Sequence, residues 1–344
     1  MQNLKIGWNL GNTLDSHVEG FSSDDVGDYE MLWGNPATTK ELMRFLKASG
    51  FGSVRIPVTW ESHMDENHSV NEAWMDRVAE IVDYAYNEGL YVIINAHHDR
   101  WYTPSEENEE HAKSVMQILW KQIALRFADY DERLLFESMN EPRLIGTEHE
   151  WTTGTAESRR IVNELNEVFV KTVRDCGGNN IARYLILPTY CADDEVESIA
   201  AFRPPEGEKR LIASIHLYSP FSFASPAHER NTWHHTIPED VAPINRTLQA
   251  LDEHLIQKGI PVIIGEFGAA DKGNLEARIS WCQYVTEKAR ESGIVCFWWD
   301  PGGTPDQPTA FSIVDRYTLS IRHPEIHHVL MNATIPPQLS FHFE

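Results

Sequence analysis

The 344 residues form a 39.4 kDa chain, long enough to bury a substantial core in one large domain or two ordinary ones. Apolar residues make up 42% and charged residues 24%, which excludes disorder for the body of the chain, and no apolar run approaches the ~20 residues a membrane span requires. The formal charge of −23 repels nucleic-acid phosphate and anionic lipid, so neither nucleic acid nor membrane is an expected partner. The four cysteines, Cys176, Cys191, Cys282 and Cys296, form no C-x-x-C pair, so no structural zinc site is expected. Residues 1–5 lack the charged and apolar regions of a signal peptide, so the chain reads as intracellular or as separated from an export signal. Eleven Trp, 11 Tyr, 14 Phe and 16 His are an aromatic excess that serves either a large core or the faces of sugars.

In chain order, short apolar runs alternate with helical patterns. Residues 4–10 form the first run, followed by a long polar stretch over 15–34. Thr38 and Glu41 are placed for a capping box ahead of Leu42, Phe45 and Leu46, with Gly50 as the stop. The run 53–58 precedes a helix over 71–88, where Trp74, Val78, Ile81, Val82 and Ala85 recur at helical spacing. Run 91–97 leads to a helix over 111–130, and run 134–140 to a helix over 158–176 closed by Gly177 and Gly178. Runs 183–189, 211–218, 261–267 and 293–299 are followed by helical patterns over 193–202, 238–258, 275–292 and 323–332. Residues 335–344 read as an extended surface tail.

Eight mostly continuous apolar strands, each followed by a helix, specify a single (β/α)8 barrel spanning residues 1–344. The longest loops, 15–34, 101–108, 143–155, 219–237 and 301–317, all follow strands, so they enlarge the C-terminal face where barrel enzymes build their sites.

The reactive side chains stand at strand ends. Glu141 ends the fourth run and Glu266 the seventh, and a carboxylate closing a buried strand is unfavourable unless the charge is used or paired. Two glutamates facing one cavity fit glycoside hydrolysis, with one as proton donor and the other as anion. Arg55 lies inside a strand and needs an anion, for which a mouth carboxylate is the obvious candidate. His97, His98, Asn140, His216, Tyr218 and Trp299 supply a kit for orienting hydroxyls and stacking one sugar ring.

In this order and spacing, several motifs resemble glycoside hydrolase family 5, closest to its subfamily 4 of endo-β-1,4-glucanases. They are Gly7-Trp8-Asn9-Leu10-Gly11-Asn12-Thr13-Leu14-Asp15, Trp33-Gly34-Asn35-Pro36, Val54-Arg55-Ile56-Pro57-Val58-Thr59-Trp60 and His97-His98-Asp99. Phe136-Glu137-Ser138-Met139-Asn140-Glu141-Pro142-Arg143, Ile264-Gly265-Glu266-Phe267-Gly268 and Trp298-Trp299-Asp300 complete the set. The resemblance implies Glu141 as general acid/base and Glu266 as nucleophile of a retaining mechanism. It implies Asn140 on the sugar's 2-hydroxyl, Arg55 and Tyr218 against the nucleophile, His97 and His216 ordering the network, and Trp299 as the floor. His98, Asn12, Asn35 and Trp60 follow as further cleft residues. One departure is Pro301, where Asn commonly follows; it removes a donor-side amide.

Retention requires carboxyls ~5–5.5 Å apart, and that separation is expected here. The Glu266 anion should raise the pKa of Glu141. Hydrolysis at C1 needs no cofactor. A metal is not expected at His97-His98-Asp99, because successive strand residues point to opposite faces. Glu137 is expected to pair with a helix Arg or Lys, while Trp74, Trp120 and Trp281 lie on helix patterns and read as core. Trp33, Trp101, Trp151 and Trp233 lie on mouth loops. The expected partner is β-1,4-linked glucan, including mixed-linkage glucan and xyloglucan, acted on outside the cell by a monomer. A β-mannanase, a non-catalytic carbohydrate-binding barrel and a metal-dependent barrel hydrolase are the alternatives.

Overall fold

Strand β1 (Gly7–Asn9) pairs in parallel with β2 (Ser53–Ile56), which pairs with β3 (Tyr91–Asn95), and so on around a closed ring. The ring continues through β4 (Leu134–Glu137), β5 (Leu185–Pro188), β6 (Leu211–Leu217), β7 (Val262–Phe267) and β8 (Val295–Trp298). Trp8 lies level with both Val54 and Trp298, which closes the barrel. This computed structural model describes residues 2–333, so the expected tail over 335–344 lies outside the described residues.

The barrel helices among the described residues are α1 (Lys40–Ala48), α2 (Glu72–Asn87), α3 (Glu109–Arg126), α4 (Ala156–Asp175), α5 (Val196–Ala201), α6 (Pro238–His254), α7 (Leu275–Glu291) and α8 (Pro324–Asn332). Each expected run contains its strand. The strands are shorter than the runs because residues such as Val58, His97 and Asn140 leave the ladder at the mouth. The first helix starts one residue later than the sequence implies. Thr39, not Thr38, accepts the capping bond from the Leu42 amide at 3.3 Å. Thr38 is held in the preceding loop, its amide donating to Glu30 and its carbonyl accepting from Arg77. Two helical turns inside the mouth loops, Gly27–Glu30 and Phe221–Ala224, were not expected. Among the described residues no helix is long and apolar enough to cross a membrane.

Strand alternation divides the core into two layers. Ile93, Leu135, Ile186, Ile212, Ile263, Val295 and Phe297 fill the barrel interior, and Leu4 closes its lower end. Val54, Ile56, Val92, Ile94 and Phe136 belong to the other layer, with Leu46, Val78, Trp120, Leu165 and Trp281 of the helices. Trp74, Trp120 and Trp281 are fully buried there, as their helical spacing implies. The interior is filled to the backbone: a Cβ on Gly7 would stand 2.1 Å from the Phe297 ring. Gly7→Ala should therefore cost about 1–3 kcal/mol of stability, read as a lowered midpoint in denaturant unfolding. An unchanged midpoint would mean that the Phe297 ring swings aside freely.

Candidate active site

Arg55 of β2 points into the barrel and is fully buried. Its guanidinium is shared among three other strands. Nε donates to Glu137 Oε2 at 2.7 Å, Nη1 to Asn9 Oδ1 at 3.0 Å and Glu266 Oε1 at 2.9 Å, and Nη2 to Asn140 Oδ1 at 2.7 Å. A buried cation is tolerable only with such partners, and the two carboxylates push the guanidinium pKa further up against its burial. Glu137 thus pairs with a strand arginine rather than the helix cation expected from sequence. The reason is register: Leu135 fills the barrel interior, so Glu137, two residues on, faces the same way. Asn95 and Ser214 donate to the remaining Glu137 acceptor sites, at 3.1 and 3.0 Å.

Above this layer lies the pair of mouth carboxyls. The register of β6 against β7 shifts between Ile215 and His216, which sets His216 level with Glu266. His216 Nδ1 lies 2.8 Å from Glu141 Oε1 and 3.6 Å from Glu266 Oε2. One oxygen of each glutamate and that imidazole nitrogen all lie within 4.8 Å of one another. The Tyr218 hydroxyl donates to Glu266 Oε2 at 3.0 Å.

The charges order differently from expectation. Burial raises the Glu141 pKa, but the His216 hydrogen bond and the charges of His216 and Arg143 outweigh it and hold the carboxyl below the ordinary range. Burial also raises Glu266, and the Glu141 charge adds to it; His216, Arg55 and Tyr218 offset this only in part. His216 is raised above its ordinary value because the Glu266 and Glu141 charges overcome its burial. His216, drawn up by both carboxylates, is thus the group that holds the Glu141 carboxyl down across their 2.8 Å contact.

His97 and His98 correct a second expectation. Both follow the last residue of β3, where strand alternation has lapsed, and their rings meet edge to face at 4.5 Å. Both Nε2 atoms approach Asp15 Oδ2, at 3.9 and 3.7 Å. These three residues are grouped closely enough to hold an ion, but the donor pattern opposes it. The Asn95 amide donates to His97 Nδ1 at 3.1 Å, and its orientation is fixed by Glu137 and by the Val58 amide. The His97 proton then sits on Nε2, leaving no lone pair toward Asp15. Asp15, which the sequence reading did not single out, accepts from the Asn12 and Thr13 amides. Burial pushes its carboxyl up to about 7. Its place at the end of the first motif was the available signal.

The remaining predicted residues divide in two. Trp299 is half-buried and lies parallel to the His97 ring, 5.7 Å away. Asn12 and Trp33 are half-buried at the mouth, Trp33 packing against His17 and His98. Trp60 and Asn35, by contrast, are walls and not cleft surface. Trp60 is 0% exposed, its indole donating to the Asn95 carbonyl at 2.8 Å. Asn35 is 1% exposed and spends its amide on the backbone of Asn12, Pro301 and Gly303. It ties down the Pro301 turn, where a side chain on Gly302 would strike Asn35 itself. Trp101 and Trp233 are buried, and Trp233 packs against Tyr284 of α7; Trp151 is 65% exposed. Arg316 was also missed. It donates to Thr13 Oγ1 and to the Gly11 and Asp300 carbonyls, joining the first and last mouth loops.

A parallel eightfold barrel with two carboxyls this close at its C-terminal mouth defines a retaining glycoside hydrolase scaffold. The family model "Cellulase (glycosyl hydrolase family 5)" matches residues 14–304, and the chain belongs to glycosyl hydrolase family 5, whose members are retaining enzymes. Endoglucanase B of Neocallimastix patriciarum is 41% identical over 95% of this chain and 69% of its own length. Cellulase/esterase CelE of Acetivibrio thermocellus is 40% identical over 99% of this chain, which spans only 41% of that relative. Among solved structures, a subfamily 4 broad-specificity endoglucanase from Clostridium longisporum superposes with a TM-score of 0.90 at 38% identity, covering 97% of this chain and 96% of its own. A lichenase from Caldicellulosiruptor sp. F32 gives 0.91 at 38% identity, covering 97% and 94%. The xyloglucan-specific endo-β-1,4-glucanase XEG5A, from a metagenomic library and complexed with cellotriose, gives 0.90 at 34% identity, covering 96% and 97%.

The Arg55 cluster sets a stability prediction. Glu137→Gln leaves Arg55 with one carboxylate instead of two, and should destabilise the fold by about 3–5 kcal/mol. Urea unfolding measures this, and a change under about 1 kcal/mol would show that Glu266 alone satisfies the cation.

Proposed function

We propose that the chain is an endo-β-1,4-glucanase, with Glu266 as nucleophile and Glu141 as general acid/base. The carrying observation is the Glu141–His216–Glu266 arrangement, whose facing atoms lie within 4.8 Å. That suits the ~5–5.5 Å carboxyl spacing of retention and leaves no room for the water of inversion, which needs ~6.5–9.5 Å.

In the first step Glu266 Oε attacks C1 and the C1–O bond to the leaving sugar breaks. The departing oxygen takes a proton from Glu141, supplied across the 2.8 Å contact with His216. Arg55 and Tyr218 hold the Glu266 carboxylate for attack. Glu266 becomes a neutral ester, which removes a negative neighbour from Glu141 and leaves it basic enough to take a proton from water. That water attacks C1, the ester breaks, and Glu266 is regenerated. Because Arg55 occupies Asn140 Oδ1, the Asn140 Nδ2 group is left to donate to the 2-hydroxyl. Trp299, backed by His97, forms the floor under the reacting ring.

The substrates are soluble cellulose-type chains, mixed-linkage β-glucan and xyloglucan, in line with the broad-specificity endoglucanase, the lichenase and the xyloglucan-specific enzyme that share this fold. Residues 1–344 act as one catalytic barrel, a monomer working outside the cell, since polymeric glucan does not enter one.

Glu266→Gln and Glu141→Gln should each lose at least ~100-fold in rate on unactivated glucan. The first product released should be the β-anomer, and azide should restore turnover of an activated aryl cellobioside by Glu141→Ala. An initial α-anomer by NMR, or a fully active Glu266→Gln enzyme, would refute the mechanism.

The pH profile of kcat/KM should be a bell. Its acid limb is Glu266, raised above 4.5, because protonation there removes the nucleophile as pH falls. Its alkaline limb is the His216–Glu141 pair and lies above 6.5, because loss of the shared proton removes the acid as pH rises. Rates across pH 4–9 measure both limbs.

A further inference from the structure

Behind the strand that carries the acid/base lies a buried polar link that no step of the proposed cycle uses. From Ile161 to Val173 the buried face of α4 is apolar except for Asn166, which is 0% exposed. Its amide bridges two strand ends. Nδ2 donates to the Pro188 carbonyl at the end of β5, at 3.1 Å, and Oδ1 accepts the Ser138 hydroxyl at 2.6 Å. A carbonyl can only accept, so Pro188 fixes which way the amide lies. Ser138 follows the last residue of β4, and all its polar groups are engaged. Its amide donates to the Ile186 carbonyl of β5 at 3.0 Å, and its carbonyl accepts the Trp120 indole of α3 at 3.1 Å.

Glu141 stands three residues further on, and the segment between is tied at alternate residues. The Asn140 amide donates to the Ala96 carbonyl at 2.8 Å, and the Pro142 carbonyl accepts the Cys191 amide at 2.8 Å. From inside the barrel, Arg55 Nη2 holds Asn140 Oδ1 at 2.7 Å. Asn166 grips the same segment from outside, through Ser138, and ties it to the end of β5. Apolar packing would seal α4 against the barrel equally well, but it is non-directional and permits sliding. A satisfied amide fixes distance and angle together, while its hydrogen bonds add little net stability over an apolar pair. Its presence in an apolar face is accounted for by placement rather than cohesion.

Resting on the assignment of Glu141 as acid/base, we propose that Asn166 is a positioning residue for that glutamate. Acting through Ser138, it sets the height of Asn140 and Glu141 against the neighbouring strand, and so the line along which the Glu141 proton reaches the departing oxygen. Neither Asn166 nor Ser138 touches the reacting atoms.

The test compares kcat/KM, which reports the first bond-breaking step, on cellohexaose and on dinitrophenyl cellobioside. The second substrate has a leaving group that departs with little protonation. Ser138→Ala cuts the link and leaves the Asn166–Pro188 bond in place; Asn166→Leu removes both bonds. Each should lower kcat/KM on cellohexaose about 5- to 10-fold, with KM within twofold. The loss on dinitrophenyl cellobioside should be at least threefold smaller. Ser138→Thr, which keeps the hydroxyl, should recover most of the cellohexaose rate. Equal losses on the two substrates in Ser138→Ala would mean a general loosening and would overturn the proposal, as would a cellohexaose rate within twofold of the parent. Glu141→Gln is the reference. If its own losses are equal on both substrates, the acid/base assignment itself fails; if it shows the large gap and Ser138→Ala does not, only the role of Asn166 is refuted.

Discussion

A guanidinium with no exposed surface, Arg55, is the constraint around which the mouth of this barrel is built. Isolated, it would be too unfavourable to bury, so four neighbours must stand where its donors point: Asn9, Glu137, Asn140 and Glu266. Those neighbours come from β1, from β4 and its end, and from β7. One cation therefore fixes the relative heights of four strands and holds the Glu266 carboxylate in the same act. Glu137 lies one layer below the mouth, and its carboxylate is what makes Arg55 tolerable beneath Glu266 and Asn140.

The next layer up depends on a small irregularity. The register shift at Ile215/His216 brings the imidazole beside Glu266 and within hydrogen-bond reach of Glu141. Two carboxyls so close in a buried site repel, and an imidazole between them, drawn toward its charged form by both, relieves that repulsion. The simple picture, in which the anion of one glutamate raises the pKa of the other, omits this third group. With it, the imidazole outweighs burial at Glu141, while at Glu266 burial prevails.

Much of this was legible in the chain. Eight apolar runs became eight strands, and both strand-end glutamates met at one mouth, because burial on two faces and the punctuation of caps and glycines are local properties. The errors share a cause. Trp60 and Asn35 sit in mouth motifs but are turned away from the cleft, engaged by the Asn95 carbonyl and by the Pro301 turn. Which way a side chain points beyond a strand end is set by contacts distant in sequence, 35 residues away for Trp60 and 266 for Asn35. The His97–His98 divergence failed for the same reason, since alternation holds only while the ladder continues. Glu137 was recoverable: counting two back to Leu135 would have turned it into the barrel.

Sequence by itself determined the (β/α)8 order, the two glutamates and their family, because strand periodicity, helix punctuation and motif spacing are written along one dimension. Only the tertiary structure decided how His216 stands between the two glutamates, which aromatic rings face the cleft and where Arg143 lies. Those outcomes depend on distances between side chains from different strands and loops, and such distances exist only once the barrel has closed.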